Sequence, residues 1–134
     1  MLFTSCSILK GVNSKEFVFY KNEKKSKLLF RLPKIKGEES FRLGDNGAKE
    51  QFYYINDGSV FYVAWKTTWP TVNSHRITGM ADKSAASATF SGRHDDGHFW
   101  KEVQFDDFRM GYAYVESDHL EKFNEALNSV KIRR

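Results

Sequence analysis

From residue 40 to residue 115 the chain repeats one unit: an aromatic-rich run of strand length, then a turn dipeptide, then another run. A single amphipathic segment follows to the end. Short runs with a period of two, punctuated by Asp-Gly and Asn-Gly, read as antiparallel strands, and the final 3.6-residue period reads as a helix. Twelve Phe, six Tyr and three Trp in 134 residues, 16% of the chain, reinforce this reading, because rings suit a pleated, half-buried surface.

Residues 5–12 and 16–20 read as two strands around Asn13-Ser14, followed by a charged turn at 21–26. Residues 27–32 form a third strand that Pro33 ends, and 34–39 read as loop. Residues 40–43 resume the sheet until Gly44-Asp45-Asn46-Gly47 breaks it. The clearest hairpin joins 49–55 to 60–66 through Asn56-Asp57-Gly58-Ser59, since Asp-Gly supplies the positive φ angles of a tight turn. Its second strand, Val60-Phe61-Tyr62-Val63-Ala64-Trp65, is apolar on both faces and so belongs in the middle of a sheet or against a partner.

The stretch 67–84 is a long connection, with a short strand at 75–79 and a helical turn at 82–87. A second hairpin joins 86–93 to 98–105, and Asp106-Asp107 turns the chain into a strand at 110–115. Asp118 with Glu121 makes the pattern of a capping box, and Leu120, Phe123, Leu127 and Val130, with Ala126, form one apolar stripe. Lys131, Arg133 and Arg134 then sit where a helix dipole favours cations. The fold class expected is α+β, mainly antiparallel β, in one domain spanning 1–134. About seven to nine short strands make a strongly curved sheet or partly open barrel, capped by the C-terminal helix. In outline this is similar to the pleckstrin-homology-like arrangement; the similarity is architectural, and no function follows from it.

Cys6 has no second cysteine to pair with, which suits a reducing compartment. The first ten residues lack the basic and apolar regions of a signal peptide, and no run is long enough to span a membrane, so the expectation is an intracellular protein. The net charge of +4 conceals segregation: the balance is +7 over residues 1–93, −6 over 94–125 and +3 over the last nine. A molecule polarised in this way has a preferred orientation toward a charged partner.

Five readings compete for the candidate residues. His94-Asp95-Asp96-Gly97-His98 concentrates potential ligands, and His94, Asp96 and His98 are candidates for a divalent metal; an Asp-Asp-Gly hairpin tip accounts for the same residues without one. His94, His98, Glu102 and Arg109, with His75, Arg76 and His119, offer the acid, base and phosphate-stabilising groups of a small nuclease. Lys21, Lys24, Lys25, Lys27, Arg31, Lys34 and Lys36, beside Tyr20 and Phe30 and with Glu23 as the only acid among them, suit RNA or single-stranded DNA. Tyr53, Tyr62, Trp65, Trp69 and Trp100 could anchor a partner. A further option is that the carboxylates between Asp95 and Glu125 occupy a partner's basic cleft.

The leading expectation is therefore a non-enzymatic adaptor or inhibitor docking a macromolecule, a protein before a nucleic acid, through Lys24, Lys25, Lys27, Arg31, Tyr62, Trp65 and Trp69. No cofactor, membrane contact or small-molecule ligand is indicated.

Overall fold

The computed structural model describes residues 12–33, 36–66, 80–82 and 87–133. In chain order these form β1 Val12–Lys21, β2 Lys24–Pro33, β3 Gly37–Leu43, β4 Lys49–Ile55, β5 Val60–Trp65 and β6 Met80–Asp82. There follow β7 Ser87–Arg93, β8 Phe99–Phe105, β9 Phe108–Val115, helix α1 Leu120–Asn128 and β10 Lys131–Arg133. Two antiparallel sheets result, with orders β1-β2-β10 and β3-β4-β5-β9-β8-β7-β6, and neither closes into a barrel. The expected architecture, mostly antiparallel strands with one C-terminal helix, is the one observed. Cys6, Lys34, Trp69, His75, Arg76 and Arg134 lie outside the described residues.

Turn chemistry explains the small sheet. Asn22 and Glu23 both take positive φ, 51° and 65°, which gives the hairpin turn a twist matching its strands. β1 and β2 then pair without interruption from Lys21 opposite Lys24 to Val12 opposite Pro33. The turn expected at Asn13-Ser14 therefore does not form: both residues continue β1, opposite Leu32 and Arg31. Burial of Phe17 and Phe19 demands one register along the whole strand, and that demand outweighs a local turn preference.

Alternation along β1 and β2 turns Phe17, Phe19, Leu28, Phe30 and Leu32 toward the large sheet, where all are buried. They meet Tyr53, Phe61, Val63, Trp65, Phe108 and Met110. The rings interlock: Phe30 stacks on Phe61 at 5.5 Å, and Phe19 lies 4.7 Å from Trp65 and 4.9 Å edge-on from Phe108. Each such pair adds about 0.5–1.5 kcal/mol to what burial alone provides. β5 is buried on both faces as an interior strand, third of the seven between β4 and β9, as its composition requires.

α1 adds Phe123 and Ala126 to this core, with Leu120, Leu127 and Val130 packed at its margin. The Tyr112 hydroxyl donates to Asn124 Oδ1 at 2.8 Å. Burial pushes that phenol up to about 12. The capping box is not made. Ser117–His119 forms a 3-10 turn, and His119 enters α1 with φ −105° and ψ −2° instead of the extended backbone a cap needs. The chain then leaves the helix, and Lys131, Ile132 and Arg133 pair with Leu29, Leu28 and Lys27 as a third strand. Lys131 and Arg133 are thus sheet residues, not charges on a helix end.

The opposite face of the large sheet is buried as well, and it holds two carboxylates. Glu50 and Glu102 are each 1% exposed, among Phe52, Val60, Tyr62, Trp100 and Ala113. Tyr62 Oη donates to Glu102 Oε1 at 2.5 Å although β9 lies between β5 and β8. Gly111 makes that reach possible. A Cβ at this position would stand 2.7 Å from the Tyr62 hydroxyl and 2.1 Å from the Lys101 carbonyl oxygen. Gly111→Ala is expected to lower stability by about 2–3 kcal/mol, the scale of an overpacked site, in urea denaturation followed by tryptophan fluorescence.

Candidate functional site

The hairpin His–Asp–Asp–Gly–His folds as a structural joint. His94 and His98 do close the β7–β8 hairpin, with the His94 amide donating to the His98 carbonyl at 2.8 Å. The His94 ring, however, turns inward and is 8% exposed. It stacks on Tyr114 at 4.0 Å, 8° from parallel, and its Nε2 accepts the Tyr114 amide at 3.1 Å. Tyr114 has φ 58°, beside the register shift between β8 and β9. His94 therefore holds a strained bulge in place, with Nε2 committed to that bond.

His98 stays half-exposed, with Nδ1 2.9 Å from Asp96 and Nε2 3.9 Å from Glu116. The His98 backbone amide and then its ring hold the Asp96 carboxyl below the usual aspartate range. Among the described residues no three His, Cys, Asp or Glu side chains converge as a metal site would need. The His94–Asp96–His98 set is thus not brought together on one ion.

Nor does the nuclease set assemble. Glu102 pairs with Phe90, four residues before His94 on β7, which is about 13 Å of strand. Its carboxylate is occupied by Tyr62 and by Gln104 Nε2 at 2.7 Å. Arg109 lies opposite Gln104 on the same sheet, far from both hairpin histidines. His119 instead reaches Asp57 Oδ2 at 3.0 Å, tying the entry to α1 to the β4–β5 turn. Sequence inspection missed the second buried carboxylate, Glu50, which Arg42 meets at 2.8 Å. Its Oε2 has no hydrogen-bond partner among the described residues. A glutamate amid aromatic residues in β4 was the available signal.

Of the aromatic anchors, Trp65 is 1% exposed between Phe19 and Phe108, Tyr62 is 2% exposed, and Trp69 lies outside the described residues. Neither Tyr62 nor Trp65 offers a surface, because a strand apolar on both faces became an interior strand of the sheet. The rings left exposed among the described residues are Tyr20 and Phe41, each at 59%, and Tyr54 at 48%.

The basic segment fares differently. With Leu28, Phe30 and Leu32 turned inward, Lys25, Lys27, Leu29 and Arg31 face outward from β2. On β1 their outward neighbours are Tyr20, Val18, Glu16 and Ser14. β10 completes the row with Lys131 opposite Leu29 and Arg133 opposite Lys27. The outer face of the small sheet thus gathers five cations, Lys25, Lys27, Arg31, Lys131 and Arg133, around one acid, Glu16. Glu16 meets Lys27 at 3.1 Å with both side chains largely in water, so it neutralises that lysine only in part. Lys24 lies at the hairpin tip, while Lys36 departs toward β3.

The two charge blocks of the sequence do not map to two ends. Phe19 against Phe108 places the basic β1–β2 turn at the same end as Asp106-Asp107. Compared with known proteins, the chain matches no family model, no curated protein and no solved structure.

The Asp57 turn gives a pH test. Partial burial acts to raise its pKa, but hydrogen bonds from Ser59 N and Oγ, with His119 beside them, prevail and lower it. A lowered folded-state value means the carboxylate's contribution is complete above the unfolded pKa of about 3.9 and disappears as pH falls through the folded value. Asp57→Ala is expected to cost about 1 kcal/mol at neutral pH, from the lost turn bonds. The gap from the parent protein should narrow in thermal melts taken progressively below about pH 4.

Proposed function

We propose that this protein is a non-enzymatic binding domain that carries single-stranded nucleic acid on the outer face of its small sheet. The observation behind the reading is the pairing of β10 with β2, which sets Arg133 beside Lys27 and Lys131 beside Leu29. Cations about a hundred residues apart in sequence thereby share one open surface. Lys25 to Arg31 spans about 20 Å of strand, enough to meet several phosphates in succession. Exposed Tyr20, at the Lys25 end, provides a ring on which one base can stack.

A protein partner drew its support from five aromatic anchors, of which Tyr53, Tyr62, Trp65 and Trp100 are buried and Trp69 lies outside the described residues. The nucleic-acid reading keeps Lys24, Lys25, Lys27 and Arg31 exposed or half-exposed and gains Lys131 and Arg133 from β10. Phosphate neutralisation supplies the affinity in such a design, and stacking orients the strand.

Fluorescence anisotropy with labelled single-stranded homopolymers tests this. Five cations predict a slope of log K against log salt of about −3, allowing for the partial neutralisation of Lys27 by Glu16. Lys131→Ala with Arg133→Ala should flatten the slope by about 1.4, whereas Tyr20→Ala should cost about 1–3 kcal/mol and leave it unchanged. A salt-independent signal, or full affinity in the Lys131/Arg133 double variant, would overturn the assignment.

A further inference from the structure

β3 ends the seven-stranded sheet, with no strand on its outer side among the described residues. Every residue in it is exposed, including Phe41 at 59% and Leu43 at 70%. Long open edges template pairing with another strand, and bulky apolar side chains at such an edge mark a contact surface.

The backbone phase of this edge is set. The Asn56 amide donates to the Lys36 carbonyl at 2.8 Å, in register with Gly37 opposite Ile55. Even-numbered residues of β3 therefore direct their amide and carbonyl groups toward β4, and Gly37, Glu39, Phe41 and Leu43 direct theirs outward.

We propose that two copies of this chain pair their β3 strands antiparallel about a two-fold axis at Ser40, joining the two large sheets into one. Charge selects this register. Centring on Glu39 would set that carboxylate against itself, and centring on Phe41 would leave Arg42 facing Ser40 with no charge pair. Centring on Ser40 sets Glu38 opposite Arg42 of the second copy, twice by symmetry, on the face that also carries Ser40.

On the other face the two Phe41 rings become diagonal neighbours across the axis, and Leu43 lies over Gly37, which has no side chain to obstruct it. The outward groups then form about eight backbone hydrogen bonds. Arg42 stays within reach of a second carboxylate, since 58% of its side chain is exposed while Nη2 holds Glu50 at 2.8 Å.

Sedimentation velocity on the full chain tests the assembly. A reversible monomer–dimer equilibrium in the micromolar range is expected, and Glu38→Arg should weaken it about tenfold by setting like charges opposite each other. Phe41→Pro should abolish it, because it removes an outward amide and leaves the β4 ladder intact. Register is read by cysteine cross-linking in a Cys6→Ser background under oxidised glutathione. Ser40→Cys sits opposite itself at a non-hydrogen-bonded pair, about 4.5 Å between Cα atoms, within disulfide reach. Rapid cross-linking through residue 40, with slow cross-linking in Glu39→Cys, supports the register. A monomer at every concentration, or equal cross-linking at 39 and 40, overturns it; circular dichroism of each variant separates lost pairing from lost fold.

Discussion

The layer of rings between the two sheets is the constraint on which the other features depend. Phe17, Phe19, Leu28 and Phe30 from the small sheet reach Phe61, Trp65 and Phe108 of the large one. Once those side chains point inward, a period of two leaves no freedom for their neighbours. Lys25, Lys27 and Arg31 face water because Leu28, Phe30 and Leu32 do not. The cationic surface is thus a by-product of core packing, and a one-residue slip in β2 would bury the lysines and expose the rings.

Much of the architecture was legible because its signals are local. Asp57-Gly58 and Asp96-Gly97 mark their hairpins, and both glycines adopt positive φ. The stripe containing Phe123 and Ala126 gave away the helix face, and the apolar run from Val60 to Trp65 its interior place. The misreadings are non-local. Asn13-Ser14 resembles a turn until the partner strand is known, and Lys131–Arg133 resembles a helix tail until β2 offers an edge. His94 resembles a ligand because nothing near it in sequence shows that Tyr114 needs an acceptor and a stacking partner.

The far face of the large sheet shows how polar groups survive burial. Glu102 is satisfied by a phenol and an amide, whereas Glu50 accepts from the Arg42 guanidinium through one oxygen only. A buried carboxylate with incomplete partners costs stability and is seldom a source of it. Here it restricts which strands can lie side by side. Tyr62 can reach Glu102 only across a glycine, so that bond is compatible with Gly111 between them and with few other arrangements. The polar pair discriminates between strand orders that hydrophobic pattern alone would leave equivalent.

β10 is three residues long and holds on to β2 at one edge only. Elements this small open and close far more often than the body they rest on. Fraying of β10 would take two of the five cations with it, and a polyanion bridging Lys27 and Arg133 would act as a clasp on it. Were such a polyanion bound, its occupancy and the order of β10 would be thermodynamically linked: whatever fastened the strand would raise affinity, and the ligand would in turn shield its amides from exchange with solvent.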